Sequence, residues 1–338
     1  MLNAIYEEDF LGLSDGFRPK RGHDALDALA VGIGSKRVNF ILDADITSFF
    51  DAVSKEKLVR FVEHRVGDPR IIRLIQKWLK AGVLEDGVVT VSETGTGQGS
   101  VISPLLANIY LHYTFDLWAE RWRRCEAMGD MIIVRYADDI IVGFEHEADA
   151  WRFLDAMRVR LQEFSLSLNP EKTRLIEFGR DAVVRRAQRG FGKPETFNFL
   201  GFTHICGKSR RGKFLLKRRS RRDRMRAKLR EIKRGHATAA ASAYSRPGQW
   251  LAQVIRGYFA YHAVPTNVAA LRAVHHHVTF LWLRTLKRRS QKDRTTWERI
   301  VKLAADYLPP PRILHPWPNM RFAVTHPRWE PRGRARGR

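Results

Sequence analysis

The chain predicts an α+β fold, with helices on one face of an antiparallel sheet and a basic, all-helical region behind it. Three features carry this expectation. Short runs rich in Ile and Val, at residues 38–46 and 131–144, have strand length and strand composition. Between and after them lie segments whose apolar residues recur at helical spacing. Finally, the 338 residues change character near residue 206, where a dense run of Lys and Arg begins. A chain of this length can bury a sizeable core, and two domains are its default organisation.

The elements follow in order. Residues 38–46 read as a buried strand. Ser54 is placed to cap a helix carrying Leu58, Phe61, Val62 and Val66. Pro69 opens a second amphipathic helix marked by Ile71, Ile72, Leu74, Ile75, Trp78 and Leu79. The Gly-rich stretch GTGQGS, residues 95–100, reads as a loop. It leads into a helix with Ser103 as its expected cap and Pro104 in its first turn. The stretch MIIVRYADDIIVGF, residues 131–144, reads as a tight hairpin with Asp138 and Asp139 at its turn. A helix from about residue 147 shows Leu154, Met157, Leu161 and Phe164 at helical spacing. Asn169-Pro170 then turns the chain into a strand, TRLIEF. Residues 217–234, KRRSRRDRMRAKLREIKR, have helix-forming composition and a thin apolar stripe of Met225, Leu229 and Ile232. The Ala/Ser-rich piece 237–245 reads as a connector. Helical periods return over Trp250–His262 and Val268–Leu286, and residues 326–338, rich in Pro, Gly and Arg, read as a disordered tail.

Charge narrows the partners. The formal net charge is +24. Residues 1–180 hold 23 Lys/Arg and 28 Asp/Glu, whereas residues 181–338 hold 37 and 8. So uneven a distribution points to a polyanion gripped by the C-terminal half. Lys217, Arg218, Arg219, Arg221, Arg222 and Arg224 are the densest group and the expected residues for binding it. No apolar run is long enough to span a bilayer, and MLNAIYEEDF lacks the basic lead and apolar core of a signal peptide. Two cysteines, Cys125 and Cys206, are too few for a disulfide framework and fit a reducing cytoplasm. His275, His276 and His277 are consecutive, which is not a helical metal-ligand spacing.

The carboxylates carry the chemistry. Two adjacent aspartates beside buried strands resist ionising together. A divalent cation such as Mg²⁺ relieves the repulsion and prefers carboxylate oxygen. Alone, an Asp-Asp pair is an ordinary solvated turn. Here a second apolar strand, VNFILDADITSFFD, also ends in acids, and Asp45 is the natural partner of Asp138 and Asp139. Three carboxylates converging from two strands suit two metal ions that clamp the attacking and leaving oxygens of a phosphoryl transfer. Asp43, two residues before Asp45, shares its strand face and is the alternative ligand.

Tyr136-Ala137-Asp138-Asp139 with the upstream Ala44-Asp45-Ile46-x-x-Phe49-Phe50 resembles the palm of a reverse transcriptase. The resemblance implies catalysis by Asp45, Asp138 and Asp139, two Mg²⁺ ions, and a further metal contact from the Ile46 carbonyl. It implies that Phe50 lies under the sugar and excludes a 2′-hydroxyl; the alternative for Phe50 is core packing, the role expected of Phe49. GTGQGSVISPLLANIYLH resembles the family's templating-base motif, with Gln98 facing the incoming nucleotide and Gly97 where the family usually has Pro. SLSLNPEKTRLIEF matches the next motif and implies that Lys172 protonates or steadies the leaving pyrophosphate. FNFLGF, residues 197–202, matches the segment closing the palm.

Further matches are more specific. IYEEDFLGLSDGFRPKRGHDAL, GQWLAQVIRGYFAYHAVPTN, RRSQ and DYLPPPRILHPWP resemble bacterial group II intron reverse transcriptase/maturases over nearly the whole chain. The resemblance implies a right-hand polymerase palm with partial fingers, followed by an all-helical thumb/maturase domain. The expected boundaries are 1–36 for partial fingers, 37–206 for the palm, 207–314 for the thumb/maturase domain and 315–338 for a basic tail. The match begins inside the fingers and includes no Cys/His-bearing endonuclease segment, so an N-terminally truncated member without an endonuclease domain is expected. The implied function is RNA-directed DNA polymerisation with maturase activity. The implied partners are group II intron RNA, an RNA template with a DNA primer, and dNTPs, in a bacterial cytoplasm. Tyr258, Tyr261 and Trp282 could stack on bases, although their helical spacing suits a core. The alternative function is a non-catalytic intron-RNA-binding splicing factor or a degenerate fragment. The sequence carries no signal for oligomeric state.

Overall fold

A computed structural model describes residues 2–18, 23–80, 83–85, 88–90, 102–239, 245–289 and 294–325. The chain divides into two compact units, Met1–Glu195 and Thr196–Thr325.

In the first unit, helices α1 (Leu2–Asp9) and α2 (Asp24–Ser35) precede strand β1 (Phe40–Asp45). The short α3 (Phe49–Ala52) follows, then α4 (Lys55–Arg65) and α5 (Pro69–Lys80). Ser54 caps α4 as its sequence suggests, its side chain accepting from Lys57 N, a contact worth about 1 kcal/mol. Leu58 and Val62 on α4, and Ile72, Ile75 and Leu79 on α5, are buried. Strands β2 (Val83–Glu85) and β3 (Val88–Thr90) pair antiparallel.

Helix α6 (Ser103–Leu111) runs into a π-helical turn (His112–Asp116) and then α7 (Leu117–Cys125). Ser103 is the first helical residue and Ile102 holds the cap position, one residue before the expected cap. Strands β4 (Met131–Tyr136) and β5 (Asp139–Phe144) form the expected hairpin, and α8 (Glu147–Glu163) follows it. Strand β6 (Arg174–Glu177) and α9 (Ala182–Gln188) complete this unit.

The main sheet has the order β4-β5-β1-β6, with every neighbouring pair antiparallel. One face packs Leu42, Ala44, Met131, Ile133, Ile140, Val142 and Phe144 into a core with Leu106, Ile109 and Phe115 of the α6–α7 rod and Phe153, Leu154 and Met157 of α8. Helices were expected on one face only. Helix α2 also packs on β4, where Gly32 approaches the Ile132 side chain, and Ile132 alternates with the core-facing Met131 and Ile133. A strand covered on both faces has no polar alternation, which is why these strands read as continuous apolar runs.

The second unit opens with β7 (Phe197–Phe199), β8 (Phe202–Lys208) and β9 (Phe214–Ser220), an antiparallel sheet in that order. FNFLGF makes its first hairpin: Leu200 and Gly201 both have positive φ, 45° and 77°, as a two-residue primed turn requires. Helices α10 (Arg222–Ala239), α11 (Ser245–His262), α12 (Val268–Arg289), α13 (Trp297–Tyr307) and α14 (Pro318–Thr325) follow. Their core contains Ile232, Leu251, Ile255, Phe259, Leu271, Val278, Trp282 and Ile300. Two expectations change here. The basic stretch begins in strand β9 and becomes helical only at Arg222, and α10 continues to Ala239, into the expected connector. The expected tail at 315–338 is also corrected in its first part, where α14 forms, and residues 326–338 lie outside the described residues. No helix among the described residues is long and apolar enough to cross a membrane.

Candidate active site and basic surface

Strand β1 places Asp45 directly opposite Asp139 of β5, and opposed residues share a sheet face. Asp138 sits in the two-residue turn between β4 and β5, half-buried, beside exposed Asp139. Burial holds the Asp138 carboxyl above the ordinary carboxylate range, and the negative charge of Asp45 pushes it the same way. The register also separates Asp45 from its alternative. Asp43 lies opposite Ile141 on one side and Arg174 on the other, with Arg174 Nη2 3.3 Å from Asp43 Oδ2.

Lys172 reaches the same acids. Its Nζ lies 3.1 Å from Asp45 Oδ2. Asn169-Pro170 sets this up, because Asn169 Oδ1 accepts from Glu171 N and Lys172 N, and Asn169 O accepts from Thr173 N. A side-chain amide that holds its own following backbone makes a tight local turn. Asn169 N also donates to Asp45 O at 2.8 Å, and Asp45 N donates to Thr173 Oγ1 at 3.4 Å. The loop bearing Lys172 is therefore joined to the end of β1 through main-chain and side-chain bonds.

Ile46, immediately beyond β1, is buried and bridges to Leu168. Phe50 on α3 is half-buried, with its ring centroid 5.4 Å from that of Phe49. Phe49 is core, as expected, and the half-buried Phe50 packs against the same core. Gln98 lies outside the described residues.

The donor set suits a hard divalent cation. It consists of carboxylates, two of them paired across a sheet, and Asp138 is raised chiefly by burial, with Asp45 adding to it. Asp45 meets a cation, Lys172, in the present arrangement. Among the described residues no three His, Cys, Asp or Glu side chains converge closely enough to hold a metal.

A buried polar cluster behind the hairpin turn escaped the sequence reading. Arg135 on β4 is fully buried, as is Asp116 at the end of the π-helical turn. Arg135 Nε donates to Asp116 Oδ1 and Nη2 to Asp116 Oδ2, both at 2.6 Å. Nη2 also donates to Ser14 Oγ at 2.6 Å, and Nη1 donates to Asn108 Oδ1 at 3.1 Å and to Ala137 O at 3.0 Å. The segment around Ser14 runs parallel to the free edge of β4, with Asp15 N donating to Arg135 O and Arg135 N to Leu13 O. Arg18 ties this segment back to α1 through Glu7, at 2.7 Å. The available signal was Arg135 itself, a lone charge inside an apolar strand, which demands buried partners.

In the second unit the basic residues differ from one another. Strand alternation exposes Arg219 and half-buries Lys217, but Arg218 is only 2 % exposed. Arg218 is therefore a correction to the expected RNA-binding group: a side chain inside the unit cannot take a phosphate. Arg221 bonds Asp223 through Nε and Nη2, whereas Arg222 and Arg224 are exposed on α10. Tyr258 and Trp282 belong to the core, and Tyr261 Oη donates to Leu200 O at 2.8 Å.

A family model described as reverse transcriptase (RNA-dependent DNA polymerase) matches residues 2–204. Protein YkfC of Escherichia coli is 31% identical over 209 residues, covering 52% of this chain and 54% of that protein. Group II intron-encoded protein LtrA of Lactococcus lactis is 40% identical over 113 residues, covering 33% and 18%. An uncharacterized 91 kDa protein in the cob intron of Schizosaccharomyces pombe is 41% identical over 113 residues, covering 33% and 14%. The matches thus span about half of the first of these relatives and less than a fifth of the other two. Among solved structures, apo telomerase from Candida tropicalis superposes with a TM-score of 0.48 at 13% identity, covering 90% of this chain and 52% of that one.

Proposed function

The chain belongs to the reverse transcriptase (RNA-dependent DNA polymerase) family, and from that membership we propose that it copies group II intron RNA into DNA and assists splicing of the same RNA. The observation that carries the reading is the pairing of Asp45 with Asp139, with Asp138 in the adjoining turn and Lys172 on Asp45.

Asp45, Asp138, Asp139 and the Ile46 carbonyl would hold Mg²⁺. When bound, the ions would lower the cost of ionising a primer 3′-hydroxyl and offset charge on the transferred phosphate. The chain's own residues do the rest. Asp45 and Asp139 share one sheet face, and Asp138 would turn a third carboxylate towards them from the adjoining turn when the ions bind. Lys172, exposed beside Asp45, would donate a proton to the departing pyrophosphate or neutralise it. Phe50, half-buried, would sit under the sugar and favour dNTPs over ribonucleotides. Gln98 would face the incoming nucleotide and the template.

The palm would occupy residues 37–206 after partial fingers at 1–36, with the thumb/maturase domain at 207–314. RNA affinity would rest on exposed cations such as Arg219, Arg222 and Arg224, with Lys217 and Arg221 contributing less. Such binding weakens steeply with salt, because phosphate contacts release counterions. The cytoplasm is the proposed compartment.

Primer extension on an RNA template, with Mg²⁺ and dNTPs, tests the reading. Metal-dependent cDNA is expected from the wild-type chain and none from Asp138→Ala, with intron RNA binding retained in both. If the wild-type protein binds intron RNA but makes no cDNA, the polymerase reading fails and a non-catalytic RNA-binding role remains.

A further inference from the structure

The cluster behind the hairpin turn is an expensive way to fill space. Arg135 and Asp116 are both fully buried, and burying an ion pair rarely stabilises a fold more than apolar residues of the same volume would. Yet every N–H of the Arg135 guanidinium has an acceptor: two on Asp116, and one each on Ser14, Asn108 and Ala137. Of these contacts, the one to Ala137 O is decisive. Ala137 is the first residue of the two-residue turn, immediately before Asp138, and its φ of 55° lies in the left-handed region. A primed hairpin turn usually gives that position to glycine, because a Cβ there is strained. Something must hold an alanine in this conformation.

The surroundings serve that purpose. Asp116 is brought to Arg135 by the π-helical turn, an irregularity that adds a residue to one helical turn and re-aims its side chains. Asn108 on α6 bonds Arg135 Nη1 through Oδ1 and Gly16 O through Nδ2, the latter at 2.5 Å. Gly16 in turn lies against the Ala137 backbone, so the turn is gripped from two directions. Arg135 projects from the sheet face opposite that of Asp45 and Asp139, so it cannot itself meet the nucleotide they would bind.

We propose that Arg135, oriented by Asp116, is a positioning residue: it fixes the Ala137 carbonyl and so sets where Asp138 and Asp139 present their carboxylates. This rests on the polymerase reading. The pair contributes geometry at the metal-binding acids and little net stability.

The test replaces both partners at once. Arg135→Met with Asp116→Leu keeps volume and leaves no unpaired buried charge. The expected protein folds and binds intron RNA normally, with a melting temperature lowered only by the loss of the bonds to Ser14, Asn108 and Ala137. Its kcat for dNTP addition falls about 10–100-fold, the range typical when a group supporting metal ligands is lost. The Mg²⁺ concentration for half-maximal rate rises, and KM for dNTP changes little. A stable double variant with wild-type kcat and Mg²⁺ dependence overturns the proposal.

If the double variant does not fold, Arg135→Lys is used. It keeps the charge opposite Asp116 but cannot reach all five acceptors. The same rise in the Mg²⁺ requirement is expected, and an unchanged requirement overturns the proposal. If the wild-type chain makes no cDNA, the polymerase reading fails separately. Mn²⁺ binding, read by electron paramagnetic resonance, then decides. Weaker Mn²⁺ binding in the variant supports positioning, whereas equal or absent binding in both proteins overturns it.

Discussion

Gly16→Ala is the sharpest perturbation the structure offers. A Cβ at Gly16 would lie 2.2 Å from Ala137 N, 2.9 Å from Tyr136 C and 3.1 Å from Ala137 Cα. Comfortable contact between heavy atoms begins near ~3.5 Å, so the loop must retreat by roughly 1 Å. The obstructing atoms are backbone, and no rotamer change relieves the clash. Four hydrogen bonds join this loop to β4 and α6: Asn108 Nδ2 to Gly16 O, Asp15 N to Arg135 O, Arg135 N to Leu13 O, and Arg135 Nη2 to Ser14 Oγ. At about 1 kcal/mol net for each bond, partial loss costs ~2–4 kcal/mol. For a unit of this size that is a fall in melting temperature of roughly 5–15 °C. The acids beyond Ala137 should shift with the loop, and a misplacement of about 1 Å commonly costs ~10²-fold in rate. Thermal melts and primer extension measure both effects. Gly12→Ala is the matched control, because nothing lies within 4 Å of a Cβ at Gly12. If Gly16→Ala and Gly12→Ala behave alike in both assays, the loop does not hold the turn.

Three further outcomes follow from the same geometry. Lys172→Ala should leave the melting temperature nearly unchanged, since its ion pair with Asp45 is largely exposed and worth under about 1 kcal/mol; single-nucleotide incorporation should slow by about 10²-fold or more if Lys172 serves the leaving group, and an unchanged rate would remove it from that role. Phe50→Ala should raise ribonucleotide incorporation relative to dNTP incorporation in a competition assay; equal selectivity would assign Phe50 to packing alone. In the second unit, burial, with a smaller push from the charge of Arg218, lowers the His204 pKa to about 3. The folded state then refuses a proton that the unfolded chain accepts below about pH 6.5, so stability is full above that pH and falls as pH drops towards 3. His204→Phe should flatten the decline between pH 6.5 and 4 in parallel melts, and parallel slopes would show that His204 does not set the acid sensitivity.

What could be read from the sequence divides along one physical line. Elements specified by neighbours along the chain were legible. Ser54 caps α4, Pro69 opens α5, Asn169-Pro170 turns the chain, and the apolar runs about Asp138-Asp139 close as a hairpin. The meeting of Asp45 and Asp139 was legible too, because two apolar strands that each end in acids can pair in few registers without burying a charge. Features decided by distant partners were not. The basic stretch at 217–220 pairs with β8, and pairing makes it a strand despite its helical composition. Once it is a strand, alternation sends Arg218 inward while Arg219 stays exposed, a distinction no count of positive charge can make.

The cluster at Arg135 shows the same limit at the site itself. The carboxylates announce themselves because they stand where chemistry needs charge. Their support comes from residues far apart in sequence: Ser14 lies 121 positions from Arg135, Asn108 27 and Asp116 19. Asp116 reaches its partner only because the helix slips into a π-helical turn, for which the residues HYTFD carry no sign. A lone arginine in an apolar strand nevertheless poses a definite question, since its five donors must be satisfied somewhere. Here the answer runs to the backbone of the turn that carries Asp138. Strain at Ala137, the close approach of Gly16 and the reach of Arg135 converge on one residue. Three independent constraints on a single residue exceed what a hairpin needs in order to fold, but they match what a site needs if its carboxylates must hold position within a fraction of an ångström.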